Sequence, residues 1–392
     1  MRRILVVAND FPYPPHHGAA VDIWGRILNL KRLGFTLDLI ATVKSGPTQA
    51  DIDAVQAVVS HLWILERDVR LSASLSLDPF QVRSRRALKQ VTLAEKYDAV
   101  LLESEHVGPI LENVRLQAKA RILRSQNDEA RYFRELSKSS RNWKERLFYK
   151  LEAVRFDKYS PALRAKCDLL WFISDWERTL HLRKSPTDVS KAVFLPPDPG
   201  SKIGSYAAFG KEVLFVGTLA VSLNVNALQW YVDHIHPRLS KLEGYSLTIA
   251  GRTGGVPIPA LIKMVERYTN ISFCPDPQDL SDLYSRAAVF VNPVLRGAGL
   301  KVKTINALQA GVAVVTTSIG MEGTGLVNGT HLLVADSVGE FAGSVERLLT
   351  DRSLAAKLVC SAQSFFAEEY NQERNIEQSL SAVLSIRPGD HQ

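Results

Sequence analysis

The stretch Pro293-Val294-Leu295-Arg296-Gly297-Ala298-Gly299-Leu300-Lys301-Val302-Lys303-Thr304-Ile305-Asn306-Ala307-Leu308-Gln309-Ala310-Gly311 follows an apolar run, Ala287 to Val291, that ends like a buried strand. It has two glycines around one alanine, two lysines at alternate positions, and the helical apolar pattern Ile305, Ala307, Leu308, Ala310. The first N–H groups of a helix lack intrahelical acceptors. A strand, a small-residue loop and a helix opening beside lysines therefore make a place where backbone N–H groups and the helix dipole hold a phosphate. Alternate lysines are also ordinary solvated surface; the Gly-Ala-Gly loop favours phosphate. Another strand, Val312 to Thr317, begins at once.

The 392 residues leave room for two domains, each with its own core. Hydrophobic residues at 46% and charged residues at 23% are the proportions of a soluble globular protein. Ile4 to Val7 is too short for the apolar region of a signal peptide and reads as a first strand. No charge-free apolar stretch approaches the ~20 residues that span a bilayer, so a cytoplasmic protein is expected. Cys167, Cys274 and Cys360 are odd in number and far apart, which suits reduced core cysteines and neither a disulfide framework nor a zinc cluster. The net charge of +7 is uneven: residues 1–200 hold 32 Lys and Arg against 24 Asp and Glu, and residues 201–392 hold 16 against 17. A basic first half attracts anionic lipid, phosphorylated carriers or nucleic acid.

In that half, Ile4–Val7, a loop from Asn9 to Gly18, a helical pattern over Val21, Ile23, Trp24, Ile27, Leu28 and Leu33, and the run Leu37–Val43 make a βαβ unit. The loop lacks G-x-G-x-x-G, which argues against a dinucleotide site. His16, His17 and Gly18 nevertheless fall at the carboxyl end of a strand, where open α/β sheets bind ligands. Ala99–Leu102 leads into Glu103-Ser104-Glu105-His106, and Arg121–Leu123 into Arg124-Ser125-Gln126-Asn127-Asp128-Glu129. Both polar clusters sit on the rim that carries His17 and can bind hydroxyl groups or relay protons; Asn127 and Asp128 are equally good helix caps. Residues 130–166 read as helical, with Trp143, Leu147, Leu151 and Val154 on one stripe, expected to pack on their own domain. Residues 119–158 hold 12 Lys and Arg against 6 Asp and Glu, so an anionic membrane surface is the alternative partner for that stripe. Asp168–Ile173 reads as the last strand of this half, followed by a helix capped by Ser174 with Glu177 three residues on.

Pro196 to Lys202 punctuates the chain, and apolar periodicity resumes at Val213. Val213–Val216 is then a strand with Gly217-Thr218 at its tip, Asn224–Leu239 a helix, and Tyr245–Ala250 a strand with the loop Gly251-Arg252-Thr253-Gly254-Gly255. Ile271–Cys274, Ala287–Val291 and Val312–Thr317 follow as strands. These pieces carry a resemblance. Phe215-Val216-Gly217-Thr218 with Asn224, Leu247 to Gly251, Ile271-Ser272-Phe273 with Asp279-Leu280 and Leu283-Tyr284 match it. So do Phe290 to Pro293, Gly297 to Lys303, Ala307 to Gly311 with Val314 to Thr317, Gly320 and Glu322-Gly323. In this order they resemble the donor-binding domain of retaining glycosyltransferases of the GT-B fold, family 4 in particular. Asn127-Asp128-Glu129 and Phe172-Ile173-Ser174 resemble the same family's acceptor domain.

The resemblance implies an α/β fold of GT-B architecture, two doubly wound Rossmann-like domains facing a cleft. Residues 1–197 would bind the acceptor, 205–372 the nucleotide sugar, and 373–392 would form a helix crossing back to the first domain. It implies a diphosphate held by Gly217, Thr218, Arg252, Arg296, Gly297, Ala298, Gly299, Leu300 and Lys301, with Asn306 near the ribose. Gln126, Asn127 and Lys303 would serve catalysis. His17, Gly18, Glu103, His106 and Glu129 would line the acceptor side. A nucleotide diphosphate sugar is the implied co-substrate, with no cofactor and no metal, and a glycan or lipid-linked molecule the acceptor; the protein would be peripheral on the inner membrane face. Two positions depart from the family pattern: Asn306 stands where a glutamate is common, and Gln126 where a histidine is usual. They admit a second reading, a non-catalytic nucleotide-sugar-binding or scaffold subunit. An epimerase or phosphorylase of the same fold is a further alternative. Nucleic acid is not an expected partner, because the basic residues are not interleaved with a stacking platform of aromatics.

Overall fold

Leu5, Val6 and Val7 are inaccessible to solvent, as expected of a strand covered by helices on both faces. Their alternation splits them: Ile4, Val6 and Ala8 enter one hydrophobic cluster, Leu5 and Val7 the other. The computed structural model describes residues 2–15, 18–70, 76–140, 142–198, 203–206, 210–255, 258–297 and 299–384. Among them, β1 (Arg3–Ala8), β2 (Thr36–Val43), β3 (His61–Glu66), β4 (Lys96–Leu102), β5 (Gln117–Ser125), β6 (Leu169–Phe172) and β7 (Ala192–Phe194) form a sheet in the order β3-β2-β1-β4-β5-β6-β7. A second sheet of β8 (Lys211–Val216), β9 (Tyr245–Gly251), β10 (Ile271–Pro275), β11 (Val289–Asn292), β12 (Ala313–Thr316) and β13 (Leu333–Val334) has the order β10-β9-β8-β11-β12-β13. Every ladder in both is parallel.

The chain divides into two compact units: residues 1–134, 147–198 and 370–392 in one, and 135–146 with 199–369 in the other. In the first unit, the helix Gly18–Arg32 buries Ile23, Ile27 and Leu30, and the helix Gln372–Leu384 adds Ile376 and Leu380 to the same cluster. That last helix is pinned by Trp171 Nε1 donating to Ser379 Oγ at 3.0 Å and by Gln372 Nε2 donating to the Pro196 carbonyl at 2.6 Å. In the second unit one large cluster joins Val213, Phe215, Leu247, Ile249, Val289 and Val315 to the helices Val338–Thr350 and Arg352–Glu369.

Residues 130–166 are helical as expected, divided into two helices, Glu129–Ser139 and Trp143–Arg164. Several expectations need correction. The stripe expected to pack on its own domain is exposed: Trp143, Leu147, Leu151 and Val154 are each between 47% and 69% accessible. Asp168–Ile173 is not the last strand of its half, because β7 pairs in parallel beside β6. The helix expected over Asn224–Leu239 starts at Ser222 and widens to a π turn at Tyr231–Ile235. Of the cysteines only Cys167 is buried, and Cys360 is exposed.

A buried ion network ties the first helix to the carboxyl ends of β4 and β5. Arg26 donates to Glu103 at 2.8 and 2.6 Å and to Asp22 at 3.2 and 2.6 Å. Arg124 donates to the same two Asp22 carboxylate oxygens at 3.0 and 2.9 Å and to the Leu195 carbonyl. All four side chains are at most 1% exposed. Burial pushes the Asp22 carboxyl upward, but Arg124 and Arg26 outweigh it and hold it down to about 2. Replacing Asp22 by alanine leaves Arg26 on Glu103 but takes the carboxylate partner from Arg124, so one buried positive charge is uncompensated. Asp22→Ala should destabilise the first unit by about 3–5 kcal/mol, read from guanidinium chloride unfolding followed by tryptophan fluorescence.

Candidate functional site

In the second unit, residues far apart in sequence meet at the carboxyl ends of β8, β9 and β11. Gly217 donates its N–H to the Ala250 carbonyl at 3.1 Å, and Leu219 donates to the Arg252 carbonyl at 2.7 Å. The turns lie so close that a Cβ on Gly251 would stand 1.7 Å from the Gly217 carbonyl oxygen, so no side chain fits there. Thr218 and Arg252 are exposed at the tips of these turns. The Asn224 amide, in the first turn of the helix Ser222–Trp230, donates to the Thr218 carbonyl at 3.0 Å and accepts from Lys303 Nζ at 3.2 Å. The same ammonium lies 5.0 Å from the centroid of the Phe215 ring, over its face.

Lys303 is the second residue of the helix Val302–Gln309, whose geometry leaves the N–H groups of Val302 and Lys303 without intrahelical acceptors. A buried polar lattice fixes the loop before it. Asn292 Nδ2 donates to Thr304 Oγ1 at 3.0 Å, Thr316 Oγ1 to the Asn292 carbonyl at 3.0 Å, and Thr317 Oγ1 to the Val294 carbonyl. Gly299 turns the loop with φ +75°, a left-handed conformation that costs an L side chain roughly 1–2 kcal/mol. Lys301 Nζ folds back to donate to the Gly299 carbonyl at 2.5 Å. Gly297 and Gly299 are buried, Leu300 and Asn306 partly so, and Arg296 is exposed; Ala298 lies outside the described residues. Burial, with a smaller contribution from the like charge of Lys301, pushes the Lys303 ammonium down to about 7. Its partners among the described residues are an amide oxygen and an aromatic face, not a carboxylate. An arriving anion would supply the missing counter-charge.

In the first unit, the carboxyl ends of β4 and β5 present His106, Gln126, Asn127 and Glu129. His106 Nε2 stands 3.4 Å from Glu129 Oε1, beyond a good hydrogen bond. His106 Nε2, Gln126 Nε2 and Asn127 Oδ1 are buried atoms with no hydrogen-bond partner among the described residues. Such atoms cost about 1–3 kcal/mol each, and a ligand rich in hydroxyl groups would satisfy them. Asp128 takes the capping role: its Oδ1 accepts from the Arg131 N–H at 2.9 Å. Gly18 opens the helix Gly18–Arg32, while His17 lies outside the described residues. Glu103 requires a correction. It is fully buried with both carboxylate oxygens on Arg26, so it holds the fold and offers nothing to an acceptor.

The structure thus joins Gly217, Thr218, Arg252 and Lys303 in one constellation, and His106 with Glu129 in another. Asn224 and Phe215 belong to the stretches that carry the resemblance, but it implies no site role for either. The amide that holds Lys303 is 79 residues away, and no local pattern pairs them.

Residues 210–351 match the family model described as Glycosyl transferases group 1. Over 387 residues the chain is 32% identical to an uncharacterized 44.6 kDa protein in the cps region of Klebsiella pneumoniae, covering 95% of this chain and 98% of that one. Sucrose-phosphate synthase from Thermosynechococcus elongatus aligns with a TM-score of 0.69 at 12% identity, over 96% of this chain and 97% of that one. TarM of S. aureus, solved with UDP, fondaparinux and alpha-GlcNAc-glycerol, aligns at 0.68 and 11% identity, over 98% and 100%. Likeness at that identity shows the fold, which is the GT-B architecture of two Rossmann-like domains.

The displaced Lys303 ammonium is directly measurable. NMR of 13C-labelled lysine side chains should show one lysine titrating near pH 7, absent in Lys303→Met. In Lys301→Met that midpoint should rise, because a like charge has been removed.

Proposed function

We propose, since this chain belongs to the group 1 glycosyl transferases, that it moves a sugar from a nucleotide diphosphate sugar to a glycan or lipid-linked acceptor, with retention and without a metal. The observation that carries the reading is Lys303, held by Asn224 and Phe215 beside helix N–H groups and without a carboxylate partner among the described residues. In this reading the diphosphate lies along Gly297 to Lys303, flanked by Gly217, Thr218 and Arg252, and Asn306 hydrogen-bonds the ribose. Lys303 gains a proton as the phosphates arrive and then stabilises the leaving nucleoside diphosphate. The acceptor hydroxyl attacks the anomeric carbon from the face the diphosphate leaves, and its proton passes to a diphosphate oxygen. Gln126 and Asn127 contact the transferred sugar, while His17, Gly18, His106 and Glu129 orient the acceptor. The UDP in the TarM complex and the cps region of the Klebsiella relative support a nucleotide-sugar donor and a place in polysaccharide or glycoconjugate biosynthesis.

The exposed stripe Trp143, Leu147, Leu151 and Val154 lies on a helix carrying Lys144, Arg146, Lys150, Arg155 and Lys158. Apolar side chains flanked by cations suit the interface of an anionic bilayer. Among the described residues no helix is long and apolar enough to cross a membrane. Surface attachment through this segment accounts for both features and keeps a lipid-linked acceptor within reach.

Transfer from a panel of radiolabelled nucleotide sugars tests the reaction. Donor binding without turnover on any acceptor would favour the scaffold reading to which Gln126 and Asn306 point. Lys303→Ala should weaken UDP binding at least about tenfold, the loss of one charge-assisted hydrogen bond. Between about pH 7 and the ordinary lysine range near ~10, the free amine is neutral and the bound one charged. Calorimetry at pH 8 in buffers of different ionisation enthalpy should therefore show proton uptake on UDP binding, vanishing by pH 6 and in Lys303→Ala. Leu147→Asp with Leu151→Asp should cut sedimentation with phosphatidylglycerol liposomes several-fold; unchanged sedimentation would remove the membrane from the model.

A further inference from the structure

A polar cavity lies in the first unit, adjoining the constellation of His106 and Glu129 through Phe156, which lines it and packs on the His106 ring. It runs beside β6 between the helices Trp143–Arg164 and Asp175–Lys184, from Asp128 at the sheet rim to the segment Ser185–Lys191. Its volume is about 770 Å³, within the range of about 300–1,000 Å³ typical of small-ligand sites. Asp128, Arg134, Asp157, Arg164, Glu177, His181, Lys184, Asp188 and Lys191 among its lining groups nearly balance in charge.

Most of these charges are already engaged. Arg134 pairs with Asp157, and Asp188 takes His181 at 2.9 Å and Lys191 at 3.2 Å. Arg164 gives Nη2 to Glu105 at 2.7 Å and to Ser125 at 3.2 Å. Two atoms are left over. Glu177, only 6% exposed, accepts the Asp128 N–H on Oε1 at 3.2 Å, but among the described residues neither its Oε2 nor the buried Nε of Arg164 has a partner. Folding leaves such groups unmatched at a cost, and both belong to residues that line this one cavity, so a ligand that draws the two side chains toward it would meet a carboxyl and a guanidinium N–H together.

We propose that this groove binds a neutral oligosaccharide segment, with Glu177 Oε2 and Arg164 Nε as its two hydrogen-bonding anchors. An anionic ligand would meet Asp128, Asp157, Glu177 and Asp188; a cationic one would meet Arg134, Arg164, Lys184 and Lys191. A hydroxyl group both donates and accepts, and it carries no charge to be repelled. A lipid tail would leave the polar lining without partners. Burial pushes the Glu177 carboxyl up to about 7, with the neighbouring Asp128 charge adding to it, so near neutral pH much of it is uncharged and able to donate as well as accept. Because the upper end of the groove is Asp128, next to Asn127, the segment would be the distal part of an acceptor glycan whose reacting end reaches the rim. That last assignment rests on the transferase reading; the saccharide chemistry does not.

Saturation-transfer NMR with the full chain tests the proposal, using maltotriose, cellotriose and N-acetylchitotriose against trigalacturonate and triglucosamine. At least one neutral trisaccharide should bind, Glu177→Leu should weaken it at least tenfold, and Glu177→Gln should hold within a few-fold. Ala165→Trp, which crowds the groove from an exposed position without removing a polar group, should also abolish the signal and covers the case in which Glu177→Leu does not fold. Lys303→Ala should leave it untouched. The proposal is overturned if no neutral trisaccharide binds, if a charged one binds in preference, or if binding survives both Glu177→Leu and Ala165→Trp. Absence of UDP binding with trisaccharide binding intact would instead sink the transferase reading alone.

Discussion

Parallel pairing is the constraint from which the arrangement of both units follows. Two neighbouring strands can run parallel only if the connection between them crosses over the sheet. Every strand then ends on the same rim, and every loop after a strand opens there. That is why Gly217, Gly251 and the loop after Asn292 lie side by side although they come from separate parts of the chain. It is also why His106 and Glu129, which follow different strands, stand within a few ångströms of each other.

Within that frame, the two groups with the most to gain from a ligand are displaced in opposite directions. Burial drives the Lys303 ammonium down and the Glu177 carboxyl up, each to about 7. Among the described residues neither is matched by an opposite charge at contact distance, in contrast with Asp22, Arg26, Glu103 and Arg124, which neutralise one another inside the fold. One set of buried ionisable groups has its partners built in. The other leaves places for partners that arrive from outside.

The doubly wound character of both halves was legible because central strands are continuous apolar runs, as at Ile4–Val7 and Val213–Val216. The short edge strands were not. His61–Glu66 has exposed ends and only partial burial between them, Ala192–Phe194 has three residues and Leu333–Val334 two, too few to show a period. The glycine turns and Lys303 stood out locally, since small residues beside a helix start are a short-range pattern. Glu103 misled because its rim position was visible while Arg26, 77 residues away, was not. The groove holding Glu177 was invisible for a related reason: a Ser-x-x-Glu start looks complete as a cap. Here Ser174 does accept from the Glu177 N–H, but the carboxylate turns to Asp128 instead of back to the cap.

The network of Asp22, Arg26, Glu103 and Arg124 has a consequence for how such a chain drifts. Two acids and two bases, sealed together, sum to zero charge, and the removal of any one leaves a net charge with no water to solvate it. Substitutions there should therefore travel in compensating sets, an acid lost together with a base, passing through intermediates that fold poorly. Arg124 lies two residues before Gln126, and Glu103 three before His106. The side chains on this rim are thus inherited together with a helix more than seventy residues upstream, and a first helix exchanged from a distant relative would misplace them unless its ionic partners came with it.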